Sequence, residues 1–110
     1  MKNRFGLLEM DMDAIIQTLS KQPKVESAYI FGSRAKGNFK NGSDVDIALK
    51  GSDLDFDTVS HISYWLNEET TMPYQFDIVN YHSIREPALL EHIDRVGVPF
   101  YGQSQESSSR

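Results

Sequence analysis

Residues 31–48 read FGSRAKGNFKNGSDVDIA. A Gly-Ser pair follows an apolar run, basic residues fill the middle, and two aspartates close the stretch one residue apart. The alternation after Ser43 puts Val45, Ile47 and Leu49 on one side of a strand and Asp44, Asp46 and Ala48 on the other. Aspartate is poorly suited to strand interiors. Two carboxylates about 5 Å apart repel by roughly 3 kcal/mol at an effective dielectric near 20. A chain that keeps both has a use for concentrated negative charge.

Working outward, VESAYIFG predicts a strand over residues 25–31 that stops at Gly32, and DVDIALK predicts a second over residues 44–50. Upstream, MDMDAIIQTLSK sets Met12, Ile15, Ile16 and Leu19 on one helical face, with Asp11 as N-cap and Pro23 beyond its end. Downstream, Ser52 and Asp55 have capping-box-like spacing, and the next helix turns Val59, Ile62, Trp65 and Leu66 inward. YQFDIVN is a third strand, with Asp77 on its polar face beside Gln75 and Val79. Ser83 and Glu86 suggest a capping box before a helix whose stripe is Leu89, Leu90, Ile93 and Val96, with Pro87 in the first turn and Gly97 as the stop. VPFYG adds a short strand, at an edge because of Pro99, and the polar residues 102–110 are expected to be disordered. The expectation is one α/β (α+β) domain over residues 1–101, a small mixed sheet flanked by helices, with no internal repeat and no interdomain linker.

Composition narrows the chemistry. The chain has 110 residues, 39% of them hydrophobic, and a formal charge of −5. That size suits one core, and that charge argues against sticking to nucleic acid, so no direct DNA binding is expected. Between Ser27 and Ser43, however, there is no acid, while Arg34, Lys36 and Lys40 are present. The chain has no cysteine, which excludes disulfides, thiolate nucleophiles and cysteine metal sites. Its opening residues do not read as a secretory signal, and no apolar run has membrane-spanning length, so a cytoplasmic protein without a membrane partner is expected.

Asp44, Asp46 and Asp77 offer hard oxygen ligands, the kind Mg²⁺ takes together with water and substrate phosphates. Gly32 permits close backbone approach, Ser33 can donate to phosphate oxygens, and Arg34 and Lys36 can offset triphosphate charge. The pattern is neither a P-loop nor G-x-G-x-x-G. A phosphate-holding turn followed by a metal-binding strand serves phosphoryl or nucleotidyl transfer. Taken singly, a Gly-Ser turn among charges reads as a solvated loop, and a lone strand aspartate as a capped or paired one. Asp77 has Lys50 and Arg85 as candidate partners. His61, His82 and His92 lack ligand spacing and read as surface or boundary residues, Trp65 as a core or interface anchor, and SDLDFD as an acidic helix start without EF-hand spacing.

Gly32-Ser33, ten residues, then Asp44-Val45-Asp46 resembles the G-S-x10-D-x-D signature of the polymerase-β-like nucleotidyltransferase superfamily, and the short chain is similar to its minimal (MNT, MntA-like) group. The resemblance implies the nucleotidyltransferase fold, with Gly32 and Ser33 holding nucleotide phosphates, Asp44 and Asp46 ligating two Mg²⁺ ions, and Asp77 completing one metal site and activating a hydroxyl. It further implies ATP as substrate and a HEPN-type helical partner. In some such pairs the small member transfers AMP to a tyrosine of a HEPN ribonuclease and so acts as its antitoxin. The alternatives are an antitoxin that acts by occlusion alone, or the catalytic subunit of a two-chain small-molecule transferase.

Overall fold

In the computed structural model, which describes residues 2–102, four strands form one mixed sheet in the order β3-β2-β1-β4. Helix α1 (Glu9–Ser20) precedes β1 (Ser27–Phe31), which runs directly into a short helix α2 (Gly32–Lys36). Strand β2 (Val45–Lys50) returns antiparallel to β1. Helix α3 (Phe56–Tyr64) continues as one π-helical turn (Trp65–Glu69) and carries the chain to β3 (Phe76–Asn80), which lies parallel to β2. A 3-10 turn (Tyr81–Ser83), α4 (Pro87–Val96) and β4 (Val98–Gly102) complete the order, with β4 antiparallel to β1 at the far edge.

Period-two alternation divides the sheet into two unlike faces. One carries Ala28, Ile30, Val45, Ile47, Leu49 and Phe76, all buried against Ile15 and Leu19 of α1 and Ile62 of α3, with Leu66 of the π turn. The other holds a smaller cluster of Phe31, Ala48 and Ile93, with Val79 and Leu89 packed on it under α4. The large layer supplies most of the apolar burial. The small one leaves the start of β2 uncovered, with Asp44 exposed.

Strand β3 is the other edge, and a side chain guards it. Asn67 donates from Nδ2 to the Phe76 carbonyl at 3.0 Å and accepts from the Phe76 N–H at 2.8 Å, so its amide stands in for a neighbouring strand.

Several local expectations need correction. Helix α1 begins at Glu9 after an N-cap at Leu8, so Asp11 lies in the first turn, where it accepts from the Tyr74 hydroxyl at 3.0 Å. Asp55 itself caps α3, accepting from the Thr58 N–H at 2.9 Å, while the Ser52 hydroxyl bonds Glu26. Glu86, held extended before Pro87, is the N-cap of α4 and makes no side-chain cap bond; Ser83 is left in the preceding turn. Ile62 and Leu66 take the buried seam, and Trp65, about 100° round the helix from Leu66, is 42% exposed. Gly97 does end α4, with an ordinary negative φ of −62°. Of residues 102–110, expected to be disordered, Gly102 is the last residue of β4, and residues 103–110 lie outside the described residues.

Candidate active site

Strand register assembles the site. Asp46 is paired with Asp77 across the parallel β2–β3 ladder and with Phe31 across the antiparallel β1–β2 ladder. Paired residues share a face, so the two carboxylates stand side by side on the thinly covered face, strands being about 4.8 Å apart. Asp44 stands exposed just before β2 begins, near enough for its charge to act on Asp46. Immediately after Phe31 the chain turns at Gly32 with φ +73°, a conformation that glycine adopts without strain. A Cβ at Gly32 would collide with Asp46 Oδ2. The Gly-Ser turn and the acids, a loop apart in sequence, are therefore in contact distance in space.

Among the described residues no hydrogen bond or ion pair ends on the carboxylates of Asp44, Asp46 or Asp77, although other aspartates are engaged: Asp11 by Tyr74, Asp55 by Lys24 and Thr58, and Asp94 by Tyr81. Lys50 does not pair with Asp77; its ammonium lies over the rings of Tyr29 and Tyr81, at 4.6 and 4.3 Å. Burial, then the charges of Asp77 and Asp44, push the Asp46 carboxyl up from 3.8 to about 6, with Arg34 pulling the other way. A half-buried acid with two like-charged neighbours and no internal partner is a site that favours an arriving cation.

Among the described residues no three Asp, Glu, His or Cys side chains form a ready-made metal cage. Mg²⁺ does not require one: it characteristically binds through one or two carboxylates and fills the rest of its octahedron with phosphate oxygens and water. The donor set fits that ion better than zinc, for which cysteine is absent and no histidine joins the acids.

The basic residues separate. Lys36, at the end of α2, is exposed and Ser33 is half-buried. Arg34 corrects the sequence-based expectation of a phosphate contact. It is 3% exposed, the only buried charged side chain among the described residues. Its Nη1 donates to the Phe5 carbonyl at 2.8 Å, and its Nε and Nη2 both donate to the Ser43 carbonyl, at 3.2 and 2.9 Å. The rings of Phe39 and Tyr74 flank the guanidinium at 5.0 and 5.3 Å. Helix α2 explains this inward turn, since one helical turn points Arg34 away from its neighbours Ser33 and Lys36.

His92, read from the sequence as a surface or boundary residue, is half-buried at such a boundary. Its ring meets Phe31 edge-on at 6.1 Å between centroids, which brings α4 to the carboxylate face. Its only signal was position 92 beside the apolar stripe of Leu89 and Ile93. His82 has a structural task, accepting at Nε2 from the Gly51 N–H at 3.2 Å.

A turn seated against a half-buried acid, with two more acids beside it, defines a protein built to handle phosphate esters. A family model for "Polymerase beta, Nucleotidyltransferase" matches residues 13–106. The chain belongs to this polymerase beta nucleotidyltransferase family and is a nucleotidyltransferase. No curated protein matches it in sequence. Among solved structures, that of a toxin–antitoxin with AMP-PNP is similar, with TM-score 0.68, 25% identity, and 91% of this chain and 77% of that chain covered. A mutant of the toxin–antitoxin MntA-HpeT gives TM-score 0.67 and 27% identity over 86% of this chain and 75% of that one. A Shewanella oneidensis complex of tri-AMPylated HEPN toxin with MNT antitoxin shares the fold, with TM-score 0.65 and 24% identity, covering 90% and 76%. No helix among the described residues is long and apolar enough to cross a membrane.

Proposed function

We propose that this chain transfers AMP from ATP to a tyrosine hydroxyl of a HEPN-type helical toxin, acting as the antitoxin of the pair. One observation carries the donor half: Asp46, with no partner of its own, is in register with Asp77 and in contact with Gly32. The toxin–antitoxin with AMP-PNP, at 25% identity, supports an adenine nucleotide as the donor. The acceptor is taken from the resemblance to MntA-like antitoxins.

In this reading Asp44, Asp46 and Asp77 would hold Mg²⁺, which when bound would offset the triphosphate charge. The Ser33 hydroxyl donates to a phosphate oxygen at the Gly32 turn, and the Lys36 ammonium balances remaining negative charge. Asp77, the most peripheral of the three on edge strand β3, takes the proton of the incoming hydroxyl. The hydroxyl oxygen bonds to the α-phosphorus, the bond from that phosphorus to the bridging oxygen breaks, and pyrophosphate leaves with the electron pair. Positioning and charge neutralisation supply most of the rate in such transfers.

The test is intact-mass spectrometry of the helical partner after incubation with this chain, ATP and Mg²⁺. One or more additions of AMP are expected, and Asp44→Asn or Asp46→Asn should abolish them while the variants stay folded. An unmodified partner that the Asp44→Asn/Asp46→Asn double variant still neutralises at stoichiometric dose would instead establish inhibition by occlusion.

A further inference from the structure

We infer that Arg34 is a positioning residue for the carboxylate strand: it fixes the peptide that launches Asp44, and it does so from inside the protein. The inference rests on Asp44 being one of the metal-holding acids.

Ten residues separate Ser33 from Asp44, and much of that loop is held only locally. Gly37 ends α2 with φ +88°, Gly42 has φ +86°, and a turn closes on itself through the Ser43 N–H to the Lys40 carbonyl (2.9 Å) and the Lys40 N–H to Ser43 Oγ (2.8 Å). Such a loop has many conformations of similar energy. Two long-range restraints hold its far end: the Val45 N–H donates to the Gln75 carbonyl at 2.8 Å after Asp44, and before Asp44 the Arg34 fork grips the Ser43 carbonyl through Nε and Nη2. That carbonyl and the Asp44 N–H belong to one planar peptide, so fixing the oxygen fixes the direction in which Asp44 leaves it. The fork is itself held: Nη1 is anchored on Phe5, Phe39 and Tyr74 flank it, and the Tyr74 hydroxyl ties the assembly to Asp11 of α1. Because Arg34 directly follows Ser33, one side chain couples the phosphate turn to the acid strand.

Lysine cannot reproduce this. A single ammonium keeps the charge but lacks the planar fork that holds one oxygen from two nitrogens while reaching a third partner. Arg34→Lys and Arg34→Met should therefore behave alike, whereas a phosphate-binding cation would be rescued by lysine.

Both variants, with Phe39→Leu as a milder change that leaves the fork in place, should be compared with the intact chain in three measurements. Amide hydrogen exchange, which needs no activity, should speed up about tenfold or more at Ser43 and Val45, whose N–H groups donate to the Lys40 and Gln75 carbonyls, while Ile30 and Ile47 stay protected. Mn²⁺ binding with AMP-PNP present, followed by electron paramagnetic resonance, should weaken roughly tenfold or more, as expected when a residue orienting a ligand is lost. In transfer kinetics with the helical partner at saturating metal, KM for ATP should stay near the wild-type value while kcat falls. Phe39→Leu should move all three the same way by less. The inference is overturned if Arg34→Met raises KM for ATP and Arg34→Lys restores it, which would make Arg34 a phosphate contact. It is equally overturned if exchange accelerates throughout the core with metal binding per folded molecule unchanged, which would make it only a stabilising residue. Should wild type show no transfer, exchange and Mn²⁺ binding still decide the role of Arg34, and the proposed reaction alone fails.

Discussion

Asp46 carries a thermodynamic signature of its place. Its folded carboxyl is pushed up to about 6, by burial first and by Asp77 and Asp44 next. Between 3.8 and about 6 the folded chain therefore holds a proton that the unfolded chain has released, so Asp46 makes the protein less stable as pH rises through that window. In metal-free protein, Asp46→Asn should raise stability at pH 7.5 by on the order of 1–2 kcal/mol, allowing for solvent screening of a half-buried group, and by well under half as much at pH 4.5, near the lower end of that window. Chemical denaturation at the two pH values measures the difference. Mg²⁺ should raise the Tm of wild type and leave that of the variant nearly unmoved. An Asp46→Asn variant destabilised equally at both pH values would show that the carboxylate is structurally satisfied after all. Asp55 is the opposite kind of acid: the hydrogen bond from Lys24 holds its carboxyl well below the usual range, so its contribution is present at neutral pH and lost on strong acidification.

At the scale of elements, the β3 edge offers a direct test. Asn67→Ala removes both bonds to the Phe76 backbone and leaves a buried N–H and C=O without partners. It should cost about 1–3 kcal/mol and raise the tendency to self-associate, read by denaturation and light scattering, because the bare edge can accept another strand. The elements differ in how openly the sequence declared them. The strands were legible because Val45, Ile47 and Leu49 alternate with polar residues, and α4 because Leu89, Ile93 and Val96 recur at helical spacing. Helix α2 was not, since five residues starting with Gly-Ser show no apolar stripe. Arg34 read only as a cation able to offset triphosphate charge, because nothing local reveals that the Phe5 and Ser43 carbonyls, from either side in sequence, converge on it. The caps at Ser52 and Ser83 were misplaced for a similar reason: the true start depends on the backbone angles of one residue, and Asp55 is drawn into its role partly by Lys24, 31 positions away. The acids were visible as residue types, but their side-by-side arrangement exists only once β2 and β3 pair in parallel.

The whole molecule is lopsided. One sheet face has α1 and α3 and the main core; the other has α4 with Tyr81 and Ile84, over a cluster of three buried residues, and keeps its acids open. Three of the protein's five tyrosines are unsuited as acceptors. Tyr64 is on α3 behind the sheet, Tyr74 is tied to Asp11 and Tyr81 to Asp94. With ATP and Mg²⁺ but no partner, the chain should therefore carry no AMP on these three residues, read by peptide mass spectrometry. AMP found on Tyr64 or Tyr81 would show that the site reaches further than its geometry allows.

The pairing of Asp46 with Asp77 has one more consequence. In a ladder where side chains alternate faces, a slip of a single residue sends Asp77 to the opposite side of the sheet. The same slip would drive Phe76 out of the core that it now fills at 3% exposure. Placement of the acids and correct folding thus depend on one register: a misregistered chain separates the two carboxylates and at the same time exposes an aromatic ring.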